Sequence, residues 1–147
     1  MGNGGSNPSP SVSRFWRDRG LLLAYGEEVK IPFRFEGLEI WKLACELSDK
    51  VSESTKKFPK SELFGLTPDL NRAGISIPSN IAEGSGSGSS KEFKRYLGIA
   101  VKSLCEVVSH LVIAKRRGYL GDQEFMKLYS DAEVLVKKIR SFDKTLK

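Results

Sequence analysis

The densest chemistry-bearing stretch is Gly84-Ser85-Gly86-Ser87-Gly88-Ser89-Ser90, followed at once by Lys91, Lys94 and Arg95. A glycine-rich loop that opens a helix can present free amides to an anion, and cations in the first turns add to that attraction. The spacing is neither that of a dinucleotide fingerprint nor that of a phosphate loop. No Lys-Ser or Lys-Thr pair closes it, and it joins two helical patterns where those motifs need a preceding strand. A flexible linker is what remains, with anion binding at the next helix start as its residual chemistry. Catalysis is poorly supplied: His110 is the only histidine, which removes multi-histidine metal sites and rests any Ser-His or Cys-His pair on one residue at the edge of an apolar face. No carboxylate pair stands apart from the solvated helix faces, so no catalytic residue, metal or cofactor is expected.

A second polar group is Arg72, Ser76, Asn80 and Glu83, a row beside the apolar stripe Leu66, Leu70, Ala73, Ile77 and Ile81. The spacing predicts one helix from a Thr67 cap, with Pro68 at its first position, to Gly84. Pro78 removes one backbone bond inside it, opposite the carbonyl of Gly74. On a central helix the four polar side chains are expected to form a hydrogen-bonded network that fixes register or joins subunits.

The neighbouring elements follow from the same periodicity. Ile40, Ala44, Leu47 and Val51 mark a helix from about Leu38 to Lys57, ended by Phe58-Pro59. Ser89-Ser90-Lys91-Glu92 is a capping box opening the longest helix, to about Arg117. Along it Phe93, Leu97, Ala100, Leu104, Val107, Leu111 and Ala114 make an unbroken four-three seam. A second row, Val101, Cys105, Val108 and Val112, implies cover on two sides, core on one and a subunit contact or deep placement on the other. Gly118 closes the helix, Asp122 is placed to cap the last one, and Phe125, Leu128, Ala132, Leu135, Ile139, Phe142 and Leu146 form its stripe.

The run Arg72-Ala73-x-x-Ser76-Ile77-Pro78-Ser79-Asn80-Ile81-Ala82-Glu83-Gly84 resembles the signature of bacterial four-helix-bundle proteins encoded by intervening sequences in 23S ribosomal RNA genes. The resemblance extends to Phe35-x-x-Leu38-x-Ile40-Trp41, Phe58-Pro59-x-x-Glu62-x-Phe64-Gly65-Leu66-Thr67, Lys91-Glu92-Phe93, Tyr96-Leu97-x-Ile99-Ala100 and Ser103-Leu104-x-Glu106, from Phe35 to the C-terminus. The chain departs from the pattern at Asp69, usually an amide, at Val101-Lys102-Ser103, where a glycine usually precedes the serine, and at Gly86 to Ser89, which lacks a common arginine. The resemblance implies an all-α, antiparallel up-down-up-down four-helix bundle that assembles as a homopentamer. It is also similar to the accessory proteins of diversity-generating retroelements, which implies a reverse transcriptase and nucleic acid as partners.

Composition bounds these expectations. The 147 residues carry a net charge of +6, and residues 38–147 hold 19 basic and 14 acidic groups, five of those six charges. Such an excess suits RNA or DNA and also serves solubility. The candidate nucleic-acid contacts are Lys91, Lys94, Arg95, Lys102, Arg116 and Arg117 on the long helix and Lys137, Lys138 and Arg140 on the last. Cys45 and Cys105 fall on apolar helical positions and read as buried free thiols of a reducing compartment. No unbroken apolar run approaches the ~20 residues of a membrane span, so a cytoplasmic protein is expected. Residues 1–34 begin in Gly, Ser, Asn and Pro and show no clean period, so they read as a disordered or poorly ordered extension, with the bundle domain over 35–147. Together these features predict a non-enzymatic, oligomeric nucleic-acid-binding bundle; the alternative is a protein-only assembly scaffold.

Overall fold

Residues 33–147 are described by the computed structural model, and the reading of residues 1–32 as disordered lies outside them. The compact unit spans Arg34–Lys147. A single 3-10 turn, Arg34–Gly37, leads into α1, Glu39–Thr55. A second, Lys60–Glu62, precedes α2, Leu66–Ser85. The long α3 covers Ser90–Arg116 and α4 covers Asp122–Thr145. The fold is all-α, and no strand occurs among the described residues. α1 packs on α2 and α4, and α3 on α2 and α4, so the four helices close a bundle around one core.

That core is the set of stripes read from spacing. Ile40, Ala44, Leu47 and Val51 meet Leu70, Ala73, Ile77 and Ile81, the seven-residue seam of α3, and Leu128, Ala132, Leu135 and Ile139 of α4, all buried. α2 continues through Pro78 without interruption. Its most extensive partner is α3, and Gly84 shows why the approach is close. A Cβ built there would lie 2.7 Å from both Phe93 Cδ2 and Tyr96 Cβ, inside van der Waals contact.

Helix ends follow local chemistry, with three corrections. α3 is capped as expected, Ser89 Oγ accepting the Glu92 amide at 3.1 Å, but the Glu92 carboxylate turns to Arg95 instead of completing the box. The other end of α3 closes in a Schellman motif. Gly118 has φ +77°, its amide bonds the Lys115 carbonyl, and the Tyr119 amide bonds that of Ala114, both at 2.9 Å. α2 starts two residues earlier than predicted, at Leu66 with Gly65 in the cap position, and Thr67 is not its cap: the Leu66 amide donates to Glu62 Oε2 at 3.0 Å. A carboxylate from the preceding turn serves the positive helix end better than a hydroxyl. Nor does Asp122 cap α4; Gly121 holds that position and Asp122 pairs with Lys115 at 3.1 Å.

The second apolar row of α3 divides. Val101 and Val108 pack against the core, whereas Val112 is 38% exposed and Cys105 is exposed, against the prediction that both thiols are buried. Cys45 is partly covered, and burial, reinforced by Asp49 and Glu46, pushes its thiol up to about 12. α3 also contains an 18-residue window of mean hydropathy 1.7, long and apolar enough by composition to cross a membrane. The most apolar stripe of that window is the one buried in the bundle.

Candidate nucleic-acid interface

Helical geometry sets a second line of α3 residues opposite the core seam with the same four-three spacing: Lys91, Arg95, Gly98, Lys102, Cys105, Ser109, Val112 and Arg116. Every one of them is exposed. The line holds four cations and no carboxylate of its own; Glu92 and Glu106 lie beside it. Arg95 is held in place by three bonds to Glu92, two at 3.2 Å and one at 3.1 Å, with its guanidinium 4.5 Å over the Tyr96 ring. Lys91, Lys94, Lys102 and Arg116 have no ion pair among the described residues.

The start of α3 lies beside the end of α4, where the Phe93 and Phe142 rings pack edge to face with centroids 5.4 Å apart. Arg34 joins this end, 5.5 Å over the Phe93 ring; no sequence signal linked a cation and an aromatic 59 positions apart. Arg34, Gly84, Ser85, Gly88, Ser89, Ser90, Phe93 and Leu146 line a shallow depression there. The loop's serines partly close themselves off. Ser85 Oγ donates to the Ala82 carbonyl at 2.8 Å and Ser87 Oγ to that of Gly84 at 2.6 Å, satisfying the end of α2.

The remaining predicted cations are engaged differently. Lys137 pairs with Glu133 at 2.6 Å and Lys138 reaches Glu39 of α1 at 3.0 Å. Arg140 is exposed and unpaired among the described residues. Arg117 belongs to a node that sequence reasoning missed. Glu62 Oε1 accepts Arg117 Nη1 at 2.8 Å and the Tyr119 hydroxyl at 3.1 Å, while Oε2 holds the Leu66 amide. The Leu66 amide, followed by Tyr119 and Arg117, keeps the Glu62 carboxyl below the usual carboxylate range. Burial, and then the hydrogen bond to Glu62, pushes the Tyr119 hydroxyl up. The usable signal was the fixed four-residue step from Glu62 to Leu66, next to a helix start.

The predicted four-residue polar network is only half formed. Ser76 Oγ and Ser103 Oγ are 2.8 Å apart, and Asn80 Nδ2 donates to the Ser76 carbonyl at 2.7 Å and to its Oγ at 3.0 Å. Ser103, from α3, is a member the prediction omitted. Arg72 is exposed and pairs with Asp69 at 3.3 Å, and Glu83 is exposed without a partner among the described residues. Both lie at the exposed edge of α2, where water solvates their charge. His110 Nδ1 is buried without a hydrogen-bond partner among the described residues. No group of three or more His, Cys, Asp and Glu side chains that could hold a metal occurs among the described residues.

The bundle and its basic outer helix define a small all-helical protein with an extended surface and no enclosed reaction centre among the described residues. Comparison with known families specifies it further: residues 36–141 match the family described as 23S rRNA-intervening sequence protein, and the chain belongs to that family. A solved structure with the same fold is a protein of unknown function from the S23 ribosomal protein family of Bacteroides thetaiotaomicron VPI-5482. The two are 23% identical with a TM-score of 0.67, and the match covers 71% of this chain and 98% of that one. No curated protein matches the chain.

Proposed function

We propose that this protein binds RNA or DNA through its basic surface, without catalysis, as an oligomeric bundle in the cytoplasm. The observation that carries the reading is the exposed line of α3, with four cations and no carboxylate along its length. Family membership supports it, because the family is described by its association with intervening sequences of 23S rRNA. An accessory role beside a reverse transcriptase or an rRNA-associated element is consistent with such a surface. The arrangement we propose is antiparallel, up-down-up-down. Ser54 at the end of α1 bonds Glu124 at the start of α4 at 2.9 Å, while Lys138 toward the end of α4 meets Glu39 at the start of α1. A homopentamer is the assembly state proposed.

A protein-only scaffold is the second reading, favoured by one observation: Phe64 is 95% exposed, beside Leu63 at 58%. Light scattering followed by titration with structured RNA and duplex DNA at two salt concentrations separates the two. Binding that weakens steeply with salt is expected, because each neutralised phosphate releases counterions. A pentamer indifferent to both nucleic acids overturns the binding reading and leaves the scaffold, and a monomer overturns the assembly.

A further inference from the structure

We infer that the outer line of α3 is matched to the backbone of duplex DNA, the helix lying along the duplex axis and touching three successive backbone crossings. The inference rests on the nucleic-acid reading above and names the ligand class of that surface. Lys91, Lys94 and Arg95, of which Arg95 is paired with Glu92 at 3.1 Å, form one exposed group centred near residue 93, with Lys102 a second and Arg116 a third. At 1.5 Å per residue, the first interval is about 13 Å and the second about 21 Å, together about 34 Å. One turn of B-form DNA also rises about 34 Å. A line along its surface crosses the two strands at unequal intervals, the shorter over the ~6 Å minor groove and the longer over the ~12 Å major groove. The cation spacing reproduces that short-long order.

The residues between the cations support contact with the backbone alone. Gly98, Cys105 and Ser109 are small and Val112, 38% exposed, is short and carries no hydrogen-bonding group, so the helix can approach closely while none of these four reads a base edge; binding is therefore independent of sequence. Single strands are held largely by stacking on exposed aromatic rings. This line carries none, and the adjacent Tyr96 is half-buried beneath Arg95. A-form RNA also alternates a narrow and a wide groove, with the names exchanged, but its turn is shorter along the axis than that of B-form DNA, so a span of about 34 Å overshoots its repeat.

The test titrates the full chain with labelled 8-bp and 16-bp DNA duplexes, a 16-nucleotide single strand and a 16-bp RNA duplex, at two salt concentrations. An 8-bp duplex spans about 27 Å and cannot reach all three groups, whereas 16 bp can. The expected result is that the 16-bp DNA duplex binds more than ten-fold tighter than the 8-bp duplex and than either other ligand. Arg116→Ala should erase most of the length preference with little effect on the 8-bp duplex, and Arg116→Lys should retain it. Equal or tighter binding of the single strand or the RNA duplex, or no length dependence, overturns the inference and leaves the broader reading intact. Absence of binding to all four ligands at low salt overturns the broader reading itself.

Discussion

α3 carries two seams of the same four-three spacing on opposite sides, and they share almost no chemistry. The inner one, from Phe93 to Ala114, is at most 2% exposed at every position. The outer one, from Lys91 to Arg116, is exposed at every position and carries its charge without an acidic residue. Periodicity alone cannot distinguish them, because both are faces of one helix. Side-chain transfer free energy separates them: the seam that loses water on folding builds the bundle, and the seam that keeps it is free to meet a ligand. Damage to the inner seam should therefore register as lost stability, and damage to the outer one as lost binding.

The largest expected effect is on the inner side. Leu111 is fully buried, and Leu111→Ala removes its transfer free energy and leaves a cavity, costing about 3–5 kcal/mol. Chemical denaturation followed by circular dichroism measures this; a cost below about 1 kcal/mol would show that the seam is not the core. Next is Gly84→Ala, whose new methyl group meets Phe93 and Tyr96 at 2.7 Å. Overpacking at this α2–α3 contact should cost about 1–3 kcal/mol, although alanine is the better helix former.

The inner seam was legible in the sequence because burial repeats with the helix, and each predicted core position from Phe93 to Ala114 is buried. The outer seam was legible only as scattered cations; its lack of carboxylates emerges once register is fixed. Tertiary pairs were not legible. Nothing local ties Glu62 to Tyr119 or Ser76 to Ser103, separated by 57 and 27 positions. Arg72 and Glu83 were grouped with Ser76 and Asn80 because they lie on one row of α2, yet that row straddles the edge of the α3 contact. Cys105 followed the same error: its spacing placed it in an apolar row whose outer half has no partner helix among the described residues.

Arg117 tests the boundary between the two seams, since by charge it resembles the outer one and by contact it serves the fold. Its partner Glu62 has a carboxyl pKa lowered in the folded state by the Leu66 amide, Tyr119 and Arg117. The resulting stabilisation is present above the unfolded value of ~4.3 and is lost as pH falls through the folded one. Glu124 shifts in the same direction, because bonds from Lys57 and Ser54 outweigh the opposing effect of burial. Denaturation midpoints at pH 7 and pH 3 should show Glu62→Gln less stable than the parent at pH 7, with the gap narrowing in acid. A gap that is constant with pH would assign Glu62 a packing role instead.

The smallest effect on the fold belongs to Lys102, and for that reason it sharpens the comparison most. Its side chain is exposed and has no ion pair among the described residues, so Lys102→Ala should change stability by no more than about 0.5 kcal/mol. Alanine's slightly higher helix propensity pushes, if anything, toward stabilisation. Binding to a 16-bp DNA duplex should nevertheless weaken, and the slope of log affinity against log salt should shallow by about one, the share of a single phosphate contact. Measuring both quantities on one preparation puts the two seams on the same footing. Unchanged stability with a shallower slope assigns Lys102 to the outer surface alone. A stability loss comparable to that of Gly84→Ala would show that the charged line is part of the bundle's own packing, and an unchanged slope would remove Lys102 from the contact.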